Sequence, residues 1–225
     1  MIIAIDGPAG SGKSTIAHQI SLRYGFTMLD TGAMYRAVAF MCQEMGVDLD
    51  DGLAVAAAAR EMRFFFDSSS DETFITVNGR DVSREIRTPA VDAIVSKVAA
   101  YPGVRVVLMG AQRAVAEGRD VVVEGRDIGT VVFPHAELKI YLTADPSERA
   151  HRRALQRHEG EEVSDAQIAA EEQVTLADLE RRDRIDSSRD VAPLTVAEDA
   201  VIVDSSGHGI DEVVEMIGKL IEERR

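Results

Sequence analysis

The sequence predicts an α/β protein built on a parallel five-stranded sheet flanked by helices, and three observations carry that prediction. The apolar run Met1-Ile2-Ile3-Ala4-Ile5 leads into GPAGSGKS at Gly7–Ser14, and a helical pattern follows at once. Short apolar runs then alternate with helical patterns along the chain, as a parallel sheet with crossover helices requires. Each predicted strand ends in turn residues, so the connections leave the sheet at one edge.

Taken in order, strands are expected at Ile2–Asp6, Thr27–Asp30, Val121–Glu124, Leu138–Leu142 and Ala200–Asp204. Helices are expected over 13–23, 34–46, 53–62, 104–117, 146–158, 164–182 and 210–224, with Asp145-Pro146 and Gly209 as boundary signals. Two segments interrupt the alternation. Phe64-Phe65-Phe66-Asp67 and Phe74-Ile75-Thr76-Val77 flank the polar run Ser68-Ser69-Ser70-Asp71, and an Asn78-Gly79 pair follows. Asn-Gly supplies the left-handed backbone of a tight hairpin, so a small antiparallel meander is expected there. The segment from Ala150 to Arg189 is almost wholly polar and contains no strand pattern. It suits a projecting lid whose charge disfavours a packed resting state and whose arginines gain partners when phosphates arrive.

The GPAGSGKS segment fits G-x-x-x-x-G-K-[ST] in its required place between strand and helix. Glycines let successive backbone N–H groups turn inward around a polyphosphate at a helix N-terminus. In this pattern Lys13 reaches the outer phosphates and the Ser14 hydroxyl faces Mg²⁺. Three acids stand at carboxyl ends of strands, Asp6, Asp30 and Glu124, and each has two readings: a cation ligand, directly or through water, or a cap for the following turn. Arginines gather at Arg149, Arg152, Arg153 and Arg157, and again at Arg181, Arg182, Arg184 and Arg189. They serve either as solvated helix faces or as forked ligands for phosphate oxygens. Arg126 follows an apolar strand and a glycine, where a solvated-face reading is hard to sustain.

Composition narrows the partners. A formal charge of −14 argues against nucleic acid and anionic membranes. No apolar stretch reaches the eighteen or so residues of a membrane span, and no basic leader precedes the first strand, so a cytoplasmic protein is expected. Cys42, the single cysteine, lies in an apolar pattern and reads as a buried structural thiol. The five histidines, His18, His135, His151, His158 and His208, have no metal-binding spacing and read as structural or surface groups. No N-K-x-D follows a later strand, which removes a guanine-reading switch.

The blocks IDGPAGSGKST, LDTGAMYRA, REIRTPAV, SKVAAYPGVR, VVEGRDIGTVVFP, RAHRRALQ and RDRIDSSRDVAPL resemble bacterial cytidylate kinases from Met1 to about Asp204. The resemblance implies a P-loop NTPase-type sheet of order 2-3-1-4-5, a meander of the long bacterial form, a mobile lid, and phosphoryl transfer from ATP to CMP or dCMP with Mg²⁺. It implies a core of residues 1–62, 103–149 and 190–225, a monophosphate-binding insertion over 63–102 and a lid over 150–189. Gly7, Gly10, Ser11, Gly12, Lys13, Ser14 and Thr15 would hold the donor phosphates, with Ser14, Asp30 and Glu124 toward the metal. Thr31, Tyr35, Arg36 and Arg126 would line the acceptor phosphate, and Ser96, Arg105 and Asp127 would read cytosine. Arg182, Asp186 and Arg189 would reach sugar and phosphates from the lid; Lys13, Arg126, Arg182 and Arg189 would carry catalysis. Some members have aspartate at Glu124 and serine at Thr31. A kinase preferring UMP, a small-molecule kinase of similar fold and a non-catalytic ATP-binding protein are the rival readings, and a monomer is expected.

Overall fold

In the computed structural model the described residues are 1–67, 74–158 and 163–225. Parallel pairing orders five strands as β2 (Thr27–Asp30), β6 (Val121–Gly125), β1 (Ile2–Asp6), β7 (Leu138–Thr143) and β8 (Val201–Asp204). Counted among themselves these strands run 2-3-1-4-5, and every neighbouring pair is parallel. Because successive strand residues face opposite ways, Ile3 and Ile5 enter one core layer while Ala4 enters the other. Both faces are therefore covered, as parallel sheets require. Helices α1 (Lys13–Tyr24) and α8 (Ile210–Glu222) cover one face through Ile16, Ile20 and Ile217. The other carries α2 (Thr31–Glu44), α3 (Gly52–Arg60), α4 (Pro89–Ala100) and α5 (Pro102–Ala116), joined through Val38, Val55, Val98 and Leu108. Cys42 is fully buried in that layer, and burial pushes its thiol pKa up.

The inserted meander is a three-stranded antiparallel sheet of β3 (Phe64–Asp67), β4 (Phe74–Val77) and β5 (Arg80–Asp81). Asn78 and Gly79 turn at φ 51° and 83°, the left-handed pair that Asn-Gly favours. The polar run Ser68–Asp71 lies outside the described residues.

Helix α4 was not anticipated, although Pro89 at its first turn and Val91, Val95 and Val98 at helical spacing mark it. Helix α2 starts at Thr31 rather than 34, because the Asp30 carboxylate accepts from Ala33 N at 2.8 Å and caps it. After Asp127 the chain makes one π-helical turn, Ile128–Val132, where Asp6 accepts from Ile128 N and Gly129 N at 2.8 and 2.7 Å. Asp6 is thus a structural clamp. Its carboxyl pKa is raised to about 6, because burial outweighs those two hydrogen bonds.

Helices α6 (Pro146–Arg157) and α7 (Asp165–Ser188) pack on each other, and α7 runs six residues past its expected end. The expectation of an unpacked resting segment fails here. Ala150 and Leu179 pack on Ala9 of the phosphate loop, and Asp186 and Arg149 are buried. Part of the charge that suggested exposure is paired inside, Arg149 with Asp183 and Arg126 with Asp186.

Candidate active site

Local backbone builds the first half of the site. Gly7 leaves β1 at φ 153°, and a Cβ there would sit 2.0 Å from the Leu142 carbonyl oxygen. Gly12 caps α1 at φ 90° without a side-chain hydrogen bond, and no acid occupies the first turn of α1. The first-turn N–H groups and the positive end of the helix dipole thus face the loop, which is the electrostatics of an anion site. Lys13 is buried and donates to Pro8 O at 2.6 Å and to Ser11 Oγ at 3.3 Å. Burial, reinforced by the nearby Arg126 charge, lowers its pKa to about 7.

Ser14 Oγ donates to Glu124 Oε1 at 2.6 Å, across from β6. Burial and the neighbouring Asp30 charge raise the Glu124 pKa. Asp30 spends one oxygen on the α2 cap, and its other lies 4.0 Å from Arg87. Thr31 Oγ1 donates to Glu124 O at 2.8 Å and ties the start of α2 to β6. Among the described residues no cluster of His, Cys, Asp and Glu could enclose a metal. A hydroxyl beside a carboxylate at a helix N-terminus fits an Mg²⁺ held mainly by phosphate and water.

The second half is assembled from distant elements. Asp92 on α4 pairs with Arg36 of α2 at 2.5 Å, Arg153 of α6 at 3.1 Å and Arg182 of α7 at 3.4 Å. Burial pushes the Asp92 pKa up, but the three guanidiniums outweigh it and hold it below the usual range. Arg126 Nε donates to Asp186 at 2.9 Å, linking the end of β6 to α7. Arg182 has a pKa lowered to about 10 by burial and by the charges of Arg126 and Arg36. Asp127 is held by Arg105 on one oxygen and by Arg189 at 3.5 Å on the other, and Arg105 lies 5.5 Å from the centre of the Tyr35 ring. Ser96 lines the same space from α4.

A cavity of about 890 Å³ joins the two halves, with the phosphate loop, Arg36, Ser96, Arg105, Arg126, Asp127 and Arg182 along it. The structure therefore brings together the site residues expected from the sequence except Gly7, which shapes the loop from beneath, and Asp6, whose carboxylate is spent on Ile128 N and Gly129 N. Sequence reasoning missed Asp92, the partner of Arg153, and Asp183, which pairs with Arg149 at 2.6 Å; the two arginines themselves stood in the expected basic cluster with two readings open. The i, i+4 spacing of Arg149 and Arg153 signalled one helix face; nothing local marked the two aspartates as their partners. His208 also lines the cavity, beside Glu212 at 3.4 Å.

A cytidylate kinase family model matches residues 3–223. The chain is 48% identical to a cytidylate kinase of Pelotomaculum thermopropionicum, over 96% of this chain and 93% of that one. It is 44% identical to a cytidylate kinase of Nocardia farcinica, over 100% and 94% of the two chains. An uncharacterized protein from Eubacterium ventriosum shares the fold, with TM-score 0.51 and 15% identity over 100% and 99% of the chains. With a family model spanning nearly its whole length and relatives this similar, the chain belongs to the cytidylate kinase family.

Proposed function

We propose that this chain transfers the γ-phosphoryl group of ATP to CMP or dCMP, giving ADP and CDP or dCDP. The observation that carries the reading is one cavity with a phosphate loop at one end and the Asp127–Arg105–Arg189 group at the other. Arginines from four elements stand between them. An acceptor phosphate oxygen is already anionic, so the reaction needs no general base. The barrier lies in bringing negative groups into line and in charge on the transferring group. Gly7 to Thr15 hold the donor phosphates, with Lys13 as a point charge; Arg36 and Arg126 hold the acceptor phosphate. Arg182 and Arg189 add charge from α7 and its C-terminal flank, and Asp186 fixes Arg126. The helix pair α6 and α7 covers the phosphates and excludes water.

Mg²⁺, when bound, supplies divalent charge to the donor phosphates, and Ser14, Glu124 and Asp30 are the groups that would face it, in part through water. Asp127 accepts from the cytosine amine, Arg105 donates to the ring acceptors, and Ser96 completes the set. Thr31 and Tyr35 wall the acceptor side. We keep the division into a core (1–62, 103–149, 190–225), an acceptor segment (63–102) and a lid (150–189); α4 gives the acceptor segment its helix. One chain supplies every residue invoked, which supports a monomer, and the small nucleotide substrates support a cytoplasmic location. Among the described residues no single helix is long and apolar enough to cross a membrane.

The test is ADP release from ATP against a panel of nucleoside monophosphates. CMP and dCMP should lead the panel; equal turnover of UMP, or ATP hydrolysis with no acceptor preference, would overturn the assignment.

A further inference from the structure

The α6–α7 pair touches the phosphate loop at Ala9 and Gly10, and at Ala9 it does so with charge. Asp183 Oδ1 accepts from Ala9 N at 2.9 Å, while its Oδ2 pairs with Arg149 Nη1 at 2.6 Å. The same Nη1 donates to Ala9 O at 2.8 Å. Arg149 Nε donates to Ala144 O at 3.2 Å, just past the end of β7. Both polar groups of Ala9 are therefore bracketed by one ion pair that is tied to the sheet. Ala9 itself packs on Ala150 and Leu179, and a Cβ at Gly10 would lie 3.3 Å from Arg149 Cβ.

Apolar packing of Ala9 accounts for the contact but not for its chemistry. Two ions have been taken from water to the loop, a cost that apolar side chains there would not incur. The charges return that cost only through geometry: Asp183 fixes the direction of a loop N–H, and Arg149 fixes the carbonyl of the same residue. Ala9 precedes Gly10, where the backbone turns to φ 76° to begin the phosphate-facing stretch. Fixing Ala9 sets the plane from which the following N–H groups are aimed. The Asp183 charge also acts on Lys13.

We infer that Asp183 and Arg149 are positioning residues for the phosphoryl donor: they hold Ala9 so that the phosphate loop keeps its anion-binding shape, and they couple that shape to the α6–α7 pair. The inference rests on the kinase reading only in calling the bound polyphosphate a donor.

Amide hydrogen exchange at Ala9, read by NMR, and the Kd of a non-hydrolysable ATP analogue test it in Asp183→Ala and Asp183→Asn. Exchange at Ala9 should quicken by about tenfold or more in Asp183→Ala and the analogue should bind about tenfold more weakly, as for loss of a charge-assisted hydrogen bond. CMP affinity should stay within about twofold, because the Asp183 oxygens are engaged by Ala9 N and Arg149 rather than by Ser96, Arg105 or Asp127. Asp183→Asn keeps an oxygen for Ala9 N–H, so it should retain slow exchange and lose about threefold in analogue affinity. Wild-type exchange and analogue affinity in Asp183→Ala would overturn the inference, as would equal losses for the analogue and CMP. Should Asp183→Ala not fold, unchanged analogue affinity in both Asp183→Asn and Arg149→Lys would overturn it equally. Failure of the wild-type protein to phosphorylate CMP, with these exchange changes present in the variants, would sink the kinase reading and leave this one standing.

Discussion

The two ends of the cavity are built in opposite ways. The phosphate loop is made by neighbours in sequence, Gly7 to Thr15, whose backbone is shaped by local glycines and a helix start. The acceptor end is made by strangers: Asp92, Arg36, Arg153 and Arg182 meet from α4, α2, α6 and α7. A contiguous site keeps its form through short-range sterics, whereas a dispersed one depends on packing to bring charges together. Damage to the first should remove chemistry outright, and damage to the second should be graded and specific to the acceptor.

Lys13→Ala is the strongest test of the first half. Removing one preorganised charge should lower kcat by about 10²-fold or more while thermal unfolding stays near wild type. Retention of a tenth of wild-type turnover would break the phosphate-loop assignment. Arg126→Ala and Arg189→Ala come next and should lower both kcat and kcat/KM by about 10- to 100-fold. A rise in the CMP KM with kcat untouched would make them ground-state positioning groups.

Base choice sharpens the contrast further. If Asp127 and Arg105 read the base as proposed, uracil would set a carbonyl against the first and an N–H against the second, and two unpaired buried groups should cost about 10²- to 10⁴-fold in kcat/KM. Asp127→Asn should narrow the CMP-to-UMP ratio by about tenfold, mostly by harming CMP. An unchanged ratio, with both substrates impaired, would reduce Asp127 to an anchor for Arg105 and Arg189. Asp92→Ala should act more gently: it releases Arg36, Arg153 and Arg182, so the CMP KM should rise about fivefold with kcat within about threefold. If the ATP KM moves instead, the hub belongs to the donor side.

The smallest effect is a proton count. Lys13 has its folded pKa lowered to about 7, so between about pH 7 and its ordinary value of 10.5 the folded protein binds fewer protons than the unfolded chain. Stability gained from this group therefore rises with pH across that window and is lost as pH falls toward 7. A bound polyphosphate favours the ammonium, so ATP binding at pH 8 should take up a fraction of a proton. Calorimetry in buffers of different ionisation enthalpy measures this, and the uptake should vanish in Lys13→Met. Persistence of the uptake in that variant would assign the proton elsewhere.

Much of the architecture could be read before any coordinates, because alternation of short apolar runs with helical patterns is a local signal. The five main strands, the meander and the phosphate loop fall into that class. No element is expected between Val82 and the helix from 104, so helix α4 goes unread, and Asp92 with it. The charge of residues 150–189 was legible but its destination was not: Arg149 finds Asp183 34 residues away, and Arg126 finds Asp186 60 residues away. Periodicity shows which face a residue occupies, but the partner on the facing element is set by tertiary packing. For the same reason Asp30 and Asp6 carried two readings in the sequence, and only the caps at Ala33 N, Ile128 N and Gly129 N show which backbone groups they serve.

Cys42 gives this chain a built-in clock. Its thiol is fully buried and its pKa raised, so an alkylating reagent meets a reactive thiolate only after the surrounding α2 layer opens. With no second cysteine to compete, the labelling rate of one sulfur reports the opening of the layer that also carries Tyr35 and Arg36. Any molecule that binds the native state and not the open one slows that rate in proportion to its occupancy. Each nucleotide can thus be ranked by the protection it confers on an atom it never touches.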